Sequence, residues 1–346
     1  MKYTYYYKDD LEDTIRNIPD FDLLKNKSVL VTGSTGLIGS AIVDVLSYKN
    51  KKDKWNIHIY AAGRDKEKVA QRFEQFCQED FFTFVPYDAS KEINFTFDVD
   101  YIIHAASNAH PLAYSEHPVE TMIGNLYGIN NLLNYAKQHN VTRTLYISSS
   151  EVYGQKDDNL PYKENDYGFI DILNPRACYP ISKKAAETLC VSYKKEYGLD
   201  VVIVRPGHVY GPTMSEADSR ASAQFIRNAL NGKDIVMKSP GLQMRSYCYV
   251  FDCVSAILTV LLRGSSGEAY NISNKNSVVT IRQLAECLAE LNGKKIIFEN
   301  PQDKELQGYN MMTYSVLDSE KLENLGWKGL YNLHEGVKRT LRILAE

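Results

Sequence analysis

Eight residues, Thr32-Gly33-Ser34-Thr35-Gly36-Leu37-Ile38-Gly39, constrain this chain more than any others. They follow a short apolar run, Ser28 to Val31, and lead into a segment with helical patterning, Ser40 to Ser47. A strand that turns through glycines at this spacing into a helix is built to hold a pyrophosphate. Gly33 permits the tight turn, Gly36 close approach of the phosphates, and Gly39 close packing of helix on strand. Backbone N–H groups at the helix start, helped by the helix dipole, point at the anion. Gly33, Ser34, Thr35, Gly36, Leu37, Ile38 and Gly39 are therefore candidate contacts for a dinucleotide.

The rest of the chain agrees with that start. Further strands are expected at Ile57 to Ala62, Phe82 to Val85, Tyr101 to Ala105, Thr144 to Ser148 and Val201 to Val204. Helical patterns separate most of them, notably Lys66 to Cys77, Thr121 to His139 and Ser182 to Tyr197. Alternating strands and helices predict an α/β fold, a doubly wound parallel sheet of Rossmann type. After Pro212 the rhythm changes: helices at Ala221 to Leu230, Val250 to Leu262 and Ile281 to Leu291, and a strand at Ala269 to Ile272. This predicts an N-terminal extension (1–26, helical around Leu11 to Ile18) and a dinucleotide-binding domain (27–212, with 246–273 returning to it). A smaller mixed substrate lobe takes 213–245 and 274–346.

Composition narrows the function class. Of 346 residues 44% are hydrophobic and 24% charged, as in a folded globular chain, and the net charge of -3 leaves no footprint for nucleic acid. No apolar run is long enough to span a bilayer, and the Tyr-, Asp- and Lys-rich start lacks the apolar stretch of a signal peptide. None of the six cysteines forms a C-x-x-C pair, so reduced thiols in a cytoplasmic enzyme and no metal site are expected.

The end of the second strand normally carries an acid for the adenosine ribose. Here it reads Ala61-Ala62-Gly63-Arg64-Asp65. Arg64 can accept a 2′-phosphate, stack on adenine, or do neither; Asp65 can reach a ribose. The spacing leaves NAD and NADP both open. Tyr179 and Lys183 lie four apart, on one face of a helix if one starts there. A tyrosine has a solution pKa of about 10, and a nearby ammonium makes it a better base at neutral pH. In a chain with 25 tyrosines the pair alone means little. Its context is Ser148-Ser149-Ser150-Glu151-Val152-Tyr153-Gly154 at the end of the expected fifth strand, where ligands of such sheets sit.

Taken in order, Thr32 to Gly39, His104-Ala105-Ala106-Ser107, Ser148 to Gly154, Tyr179 with Lys183, Arg205 to Pro212 and Gln243 to Asp252 resemble the extended short-chain dehydrogenases. That group contains nucleotide-sugar epimerases, dehydratases and decarboxylases. Ala109-His110-Pro111 through Thr121, Asn174 to Tyr179 and Ser149 to Gly154 look closest to UDP-glucuronate decarboxylases. The resemblance implies Tyr179 as base, Lys183 as its electrostatic partner and Ser149 as hydroxyl holder, with Ser150 and Glu151 influencing the middle step. It implies Asp88 at adenine, Ala105, Ala106 and Ser107 along the cofactor, Asn125 shaping the site, and Arg220 and Arg245 on a nucleotide diphosphate. It also implies a tightly held NAD, a nucleotide-sugar substrate and a homodimer.

Two departures stand out. His208 occupies the position of the group's usual Asn, and Tyr309 to Tyr314 contains no arginine where decarboxylases carry one for the sugar carboxylate. An unpaired carboxylate in a closed site is costly, which counts against decarboxylation. Ser150 stands where dehydratases have Asp. The expectation is a redox-neutral reaction through a transient keto-sugar, epimerisation foremost. An NADPH-dependent reductase of a keto-sugar and a non-catalytic dinucleotide sensor are the rivals.

Overall fold

The computed structural model describes residues 3–301, 310 and 312–346. Of the stretch Tyr309 to Tyr314, Tyr309 and Met311 lie outside the described residues.

β1 (Ser28–Thr32), β2 (His58–Gly63), β3 (Phe82–Pro86), β4 (Tyr101–His104), β5 (Arg143–Ile147) and β6 (Val201–Pro206) all run parallel. Every residue of β4 is buried, as are the last four of β1 and of β5, because helices cover both faces of the sheet. The chain then forms β7 (His208–Tyr210), β8 (Ile235–Met237), β9 (Met244–Tyr249), β10 (Ala269–Ile272), β11 (Val278–Thr280), β12 (Ile296–Phe298) and β13 (Tyr314–Ser315). β10 returns to the large sheet beside β6, giving the seven-stranded order β3-β2-β1-β4-β5-β6-β10. Strand order reverses between β1 and β4, where a doubly wound sheet opens a crevice at its C-terminal edge. The register sets Thr32 opposite His104 at that edge.

β9 is the centre of a second, four-stranded layer, joined by β7, β11 and β13. β8 and β12 pair separately. Strands of two or three residues leave too little alternation to be read from sequence.

Helices α1 (Tyr5–Arg16), α2 (Leu37–Asp53), α3 (Lys66–Arg72), α4 (Pro111–Glu116), α5 (Pro118–Gln138), α6 (Cys178–Tyr197), α7 (Ala221–Leu230), α8 (Val250–Arg263) and α9 (Ile281–Asn292) precede a last helix, Leu333–Ala345. α3 stops short of the expected Cys77: Phe73 and Phe76 turn into the core, and their burial outweighs a continued helix. α8 is buried from Val250 to Leu261, so it is apolar nearly all round. Cutting Ile257 or Leu258 back to alanine there costs about 2–5 kcal/mol.

Within the extension expected at 1–26, the described residues include α1, which packs on the core. Tyr7 and Leu11 are fully buried, and α1 rests on α2, α8 and the last helix. The buried Asp44 of α2 accepts from Tyr3 and Tyr7 and pairs with Arg72 of α3. Asp10 accepts from Tyr249 and pairs with Arg339.

Candidate active site

α6 positions the reactive pair. Asn174 caps the short turn before it, accepting from the Arg176 N–H at 3.0 Å. Gly198, at φ +74°, ends the helix in the left-handed region open to glycine. Tyr179, Lys183, Ala186, Cys190 and Tyr193 are buried at helical spacing. Tyr179 and Lys183 thus reach the same wall one turn apart. The Lys183 ammonium donates to the Ile147 carbonyl at 2.7 Å and lies 5.9 Å from the centre of the Tyr179 ring. Burial brings the Lys183 ammonium down to about 7. Burial pushes the Tyr179 phenol up to about 12, and the Glu151 charge adds to it; a hydrogen bond with Ser149 and the guanidiniums of Arg220 and Arg176 oppose the rise.

Ser149 begins a single helical turn, Ser150–Tyr153, directly beyond β5, and its hydroxyl accepts from the Glu151 N–H at 3.2 Å. Ser150 is buried beside it. The Glu151 carboxylate receives the Arg176 guanidinium at 2.9 Å. Arg176 lies 4.5 Å over the ring of Tyr114, which stacks on Tyr179 at 4.6 Å.

The same cavity is lined by two further cations, Arg220 and Arg245. Arg220, at the start of α7, is held by Asp218 in a two-pronged pair at 3.0 and 2.5 Å, and also donates to the Val209 carbonyl at 3.1 Å. Arg245 on β9 is 3% exposed and bonds the Met244 carbonyl at 2.9 Å. No carboxylate among the described residues lies within ion-pair distance of Arg245. Burial lowers the Arg245 guanidinium from its ordinary value. A charge desolvated in this way invites an anion. Between them His208 keeps a buried Nδ1 without a partner, and burial with the two neighbouring guanidiniums holds its imidazole neutral.

The glycine turn closes the third side. Gly33 sits at φ +66°, and a Cβ there would lie 2.8 Å from the Ala106 backbone. At Gly39 a Cβ would lie 2.3 Å from the Gly33 oxygen. At Gly36, the N-cap of α2, a Cβ would meet only that oxygen, at 3.2 Å. The outer side of the turn is thus open backbone at a helix start, which fits a dinucleotide pyrophosphate. Ser34 is buried and its hydroxyl has no partner among the described residues, while Thr35 is half-buried. Leu37 and Ile38 of α2 and Ala105 and Ser107 beyond β4 line the same space. Ala106 donates its N–H to the Thr32 hydroxyl at 3.3 Å.

Asn125 stands behind this wall. It accepts from Ser107 at 2.8 Å and donates to Ser182 at 2.9 Å, so its amide fixes β4's exit to the N-terminal part of α6. Arg64 is exposed past β2, and its charge helps hold the Asp88 carboxyl below its ordinary value, after the Ser90 N–H. Asp65, a ribose candidate by sequence, caps α3 instead, accepting from Glu67 and Lys68 N–H groups. Tyr114, Arg176, Asp218 and Ser182 were without assigned roles in the sequence. Only Asp218 leaves a local signal, two residues before Arg220.

One cavity of about 580 Å³ joins these walls, with Gly36, Ser149, Tyr179, Lys183, Arg220 and Arg245 all on its surface. Residues 29–273 match the family described as the NAD dependent epimerase/dehydratase family. The chain belongs to this family. As a family member it is an enzyme that modifies nucleotide sugars through a keto intermediate. It is 33% identical over 317 residues to UDP-glucuronic acid decarboxylase 3 of Arabidopsis thaliana, covering 90% of this chain and 87% of the relative. It is 29% identical to UDP-glucuronic acid decarboxylase 1 of Xenopus tropicalis, covering 91% and 71%. Among solved structures, UDP-glucose 4-epimerase of Thermotoga maritima shares the fold at TM-score 0.77 and 24% identity, covering 91% of this chain and 97% of that one. Among the described residues no helix is long and apolar enough to cross a membrane.

Proposed function

We propose that this protein converts a UDP-linked sugar through a transient ketone at the sugar's C4. The observation that carries the reading is one cavity lined by Tyr179, Lys183 and Ser149 and by the buried Arg245, which has no ion-pair partner among the described residues. The nucleotide and the NAD are taken from the relatives: the decarboxylases named above act on UDP-glucuronic acid, and the fold is shared with a 4,6-dehydratase of Bacillus anthracis solved with NAD.

Bound NAD supplies the hydride acceptor and a positive ring. Gly33 to Gly39 would hold its pyrophosphate, with Ala105 and Ser107 along it and Asp88 and Arg64 at the adenine end. Tyr179 takes the proton of the C4 hydroxyl while Ser149 holds that oxygen. Lys183, whose proton is shared with the Ile147 carbonyl, carries charge near the phenolate. Arg245 and Arg220, with neutral His208 between them, grip the diphosphate. A nicotinamide held here would take the C4 hydride as Tyr179 takes the proton, and would give it back to the same carbon.

Return from the other face inverts C4, and this epimerisation is the first reading. It asks least of the site, since no arginine occupies positions 309–314. Decarboxylation is the second, favoured by the 33% identical relative. Incubation with UDP-glucose and UDP-glucuronic acid, followed by mass analysis, separates them. An isomer of unchanged mass supports epimerisation, loss of carbon dioxide supports decarboxylation, and no product from either overturns both. Releasing the dinucleotide by denaturation and weighing it tests NAD against NADP; NADP would make Arg64 its phosphate partner and favour the reductase.

A homodimer is proposed through α5, whose Val119, Ile123 and Tyr127 form an exposed apolar stripe at four-residue spacing. A cytoplasmic setting is proposed from the six unpaired thiols.

A further inference from the structure

Glu151 presents a contradiction in the site as described. It is a carboxylate set near a tyrosine that must lose a proton, and its charge works against the phenolate. The residue that answers it is Arg176, three positions before Tyr179. Its guanidinium meets Glu151 at 2.9 Å, and both side chains are mostly buried, at 11% and 16% exposure. At that depth the pair is only weakly screened by solvent. The guanidinium is also fixed in orientation, lying 4.5 Å over Tyr114, whose ring stacks 4.6 Å from that of Tyr179. Arg176, Tyr114 and Tyr179 thus form one continuous pile, with Glu151 clamped at its side.

We propose that Arg176 is a positioning residue that cancels the field of Glu151 on Tyr179, allowing the Glu151 carboxylate and a proton-accepting tyrosine to share the cavity. This rests on the reading of Tyr179 as the base. The other groups acting on Tyr179 are Lys183 on its own helix, the Ser149 hydroxyl beyond β5, Tyr114 of α4 and Arg220 at the start of α7. Arg245 on β9 acts on Glu151. Among the described residues, Arg176 touches both Glu151 and the Tyr114–Tyr179 stack.

The experiment is single-turnover reduction of the bound dinucleotide by UDP-sugar, followed at 340 nm across pH, for the wild type, R176M, E151Q and the double variant. R176M should move the rising limb of the rate toward higher pH by about one unit, a rate loss of about tenfold at fixed pH below the midpoint. E151Q should move it the other way or leave it. In the double variant the R176M shift should vanish, because the charge it exposed is gone. R176K, which keeps the charge but not the planar stacking, should hold the midpoint near wild type and stands in if R176M does not fold. An unshifted midpoint in R176M, or a shift that survives in the double variant, overturns the inference while leaving Tyr179 as base. A wild type that reduces no dinucleotide with any UDP-sugar overturns the underlying reading, and the inference with it.

Discussion

Tyr114 lies nearly flat on Tyr179, the ring centroids 4.6 Å apart and the planes 25° from parallel. Such a stack fixes the phenol's direction but contributes no proton chemistry. Tyr179→Phe should therefore keep the stack, the fold and dinucleotide binding while lowering turnover by on the order of 10³-fold or more, within the reach of general-base loss combined with lost orientation. Turnover and dinucleotide retention measured on the same sample check this. A variant of near wild-type rate would remove Tyr179 from the mechanism.

The glycine turn predicts two different failures. Gly36→Ala adds a methyl whose only close neighbour is the Gly33 oxygen at 3.2 Å. It should fold and lose dinucleotide affinity by roughly 10- to 100-fold, about 1.4–2.8 kcal/mol. Gly39→Ala would press its methyl to 2.3 Å from that oxygen, backbone against backbone, and should instead destabilise the whole chain. Calorimetric titration with NAD and a thermal melt distinguish the two.

Arg245 is buried with no carboxylate beside it among the described residues. Arg245→Met should weaken UDP binding by about 1.5–3 kcal/mol, the range for a hydrogen bond to a charged group. The same change should leave the free protein as stable or more so, because a desolvated charge is gone. Titration with UDP alone, paired with a melt, reads both.

Lys183 gives the pH dependence of stability. Its ammonium is depressed to about 7 in the folded chain against about 10.4 for an ordinary lysine. Between these values the unfolded chain holds a proton that the folded chain does not, so its contribution to stability is full above the upper value and is lost as pH falls toward the lower. Lys183→Met should raise the melting temperature of the dinucleotide-free protein more at pH 7 than at pH 10. An equal change at both would show that the buried amine carries no such penalty.

Much of this was legible from local pattern. The six parallel strands fell within one or two residues of their observed ends, and the turn between Thr32 and Gly39 lies between a strand and a helix, because runs of apolar residues and glycine spacing act within a few residues. The second layer around β9 was not legible. Its strands run two to six residues, and Arg245 and His208 come together only through the pairing of His208 with Tyr247. Asp65 shows the opposite limit: an acid at the right place in sequence is claimed by a nearer need, the bare N–H groups of α3. Arg176 finds Glu151 across 25 positions, a distance at which no sequence periodicity operates.

The docking of α1 has a consequence for synthesis. Asp10 meets Arg339 across 329 positions, and the helix rests on α8 and the last helix. α2 and α8 can seat α1 early, but its pairing with the last helix waits for a segment more than 300 residues further along. Closing so long a loop comes late and slowly. Until Leu333–Ala345 docks, the face of α1 that meets it is an exposed, sticky surface of the folding chain, and that interval is where a chaperone would find its work.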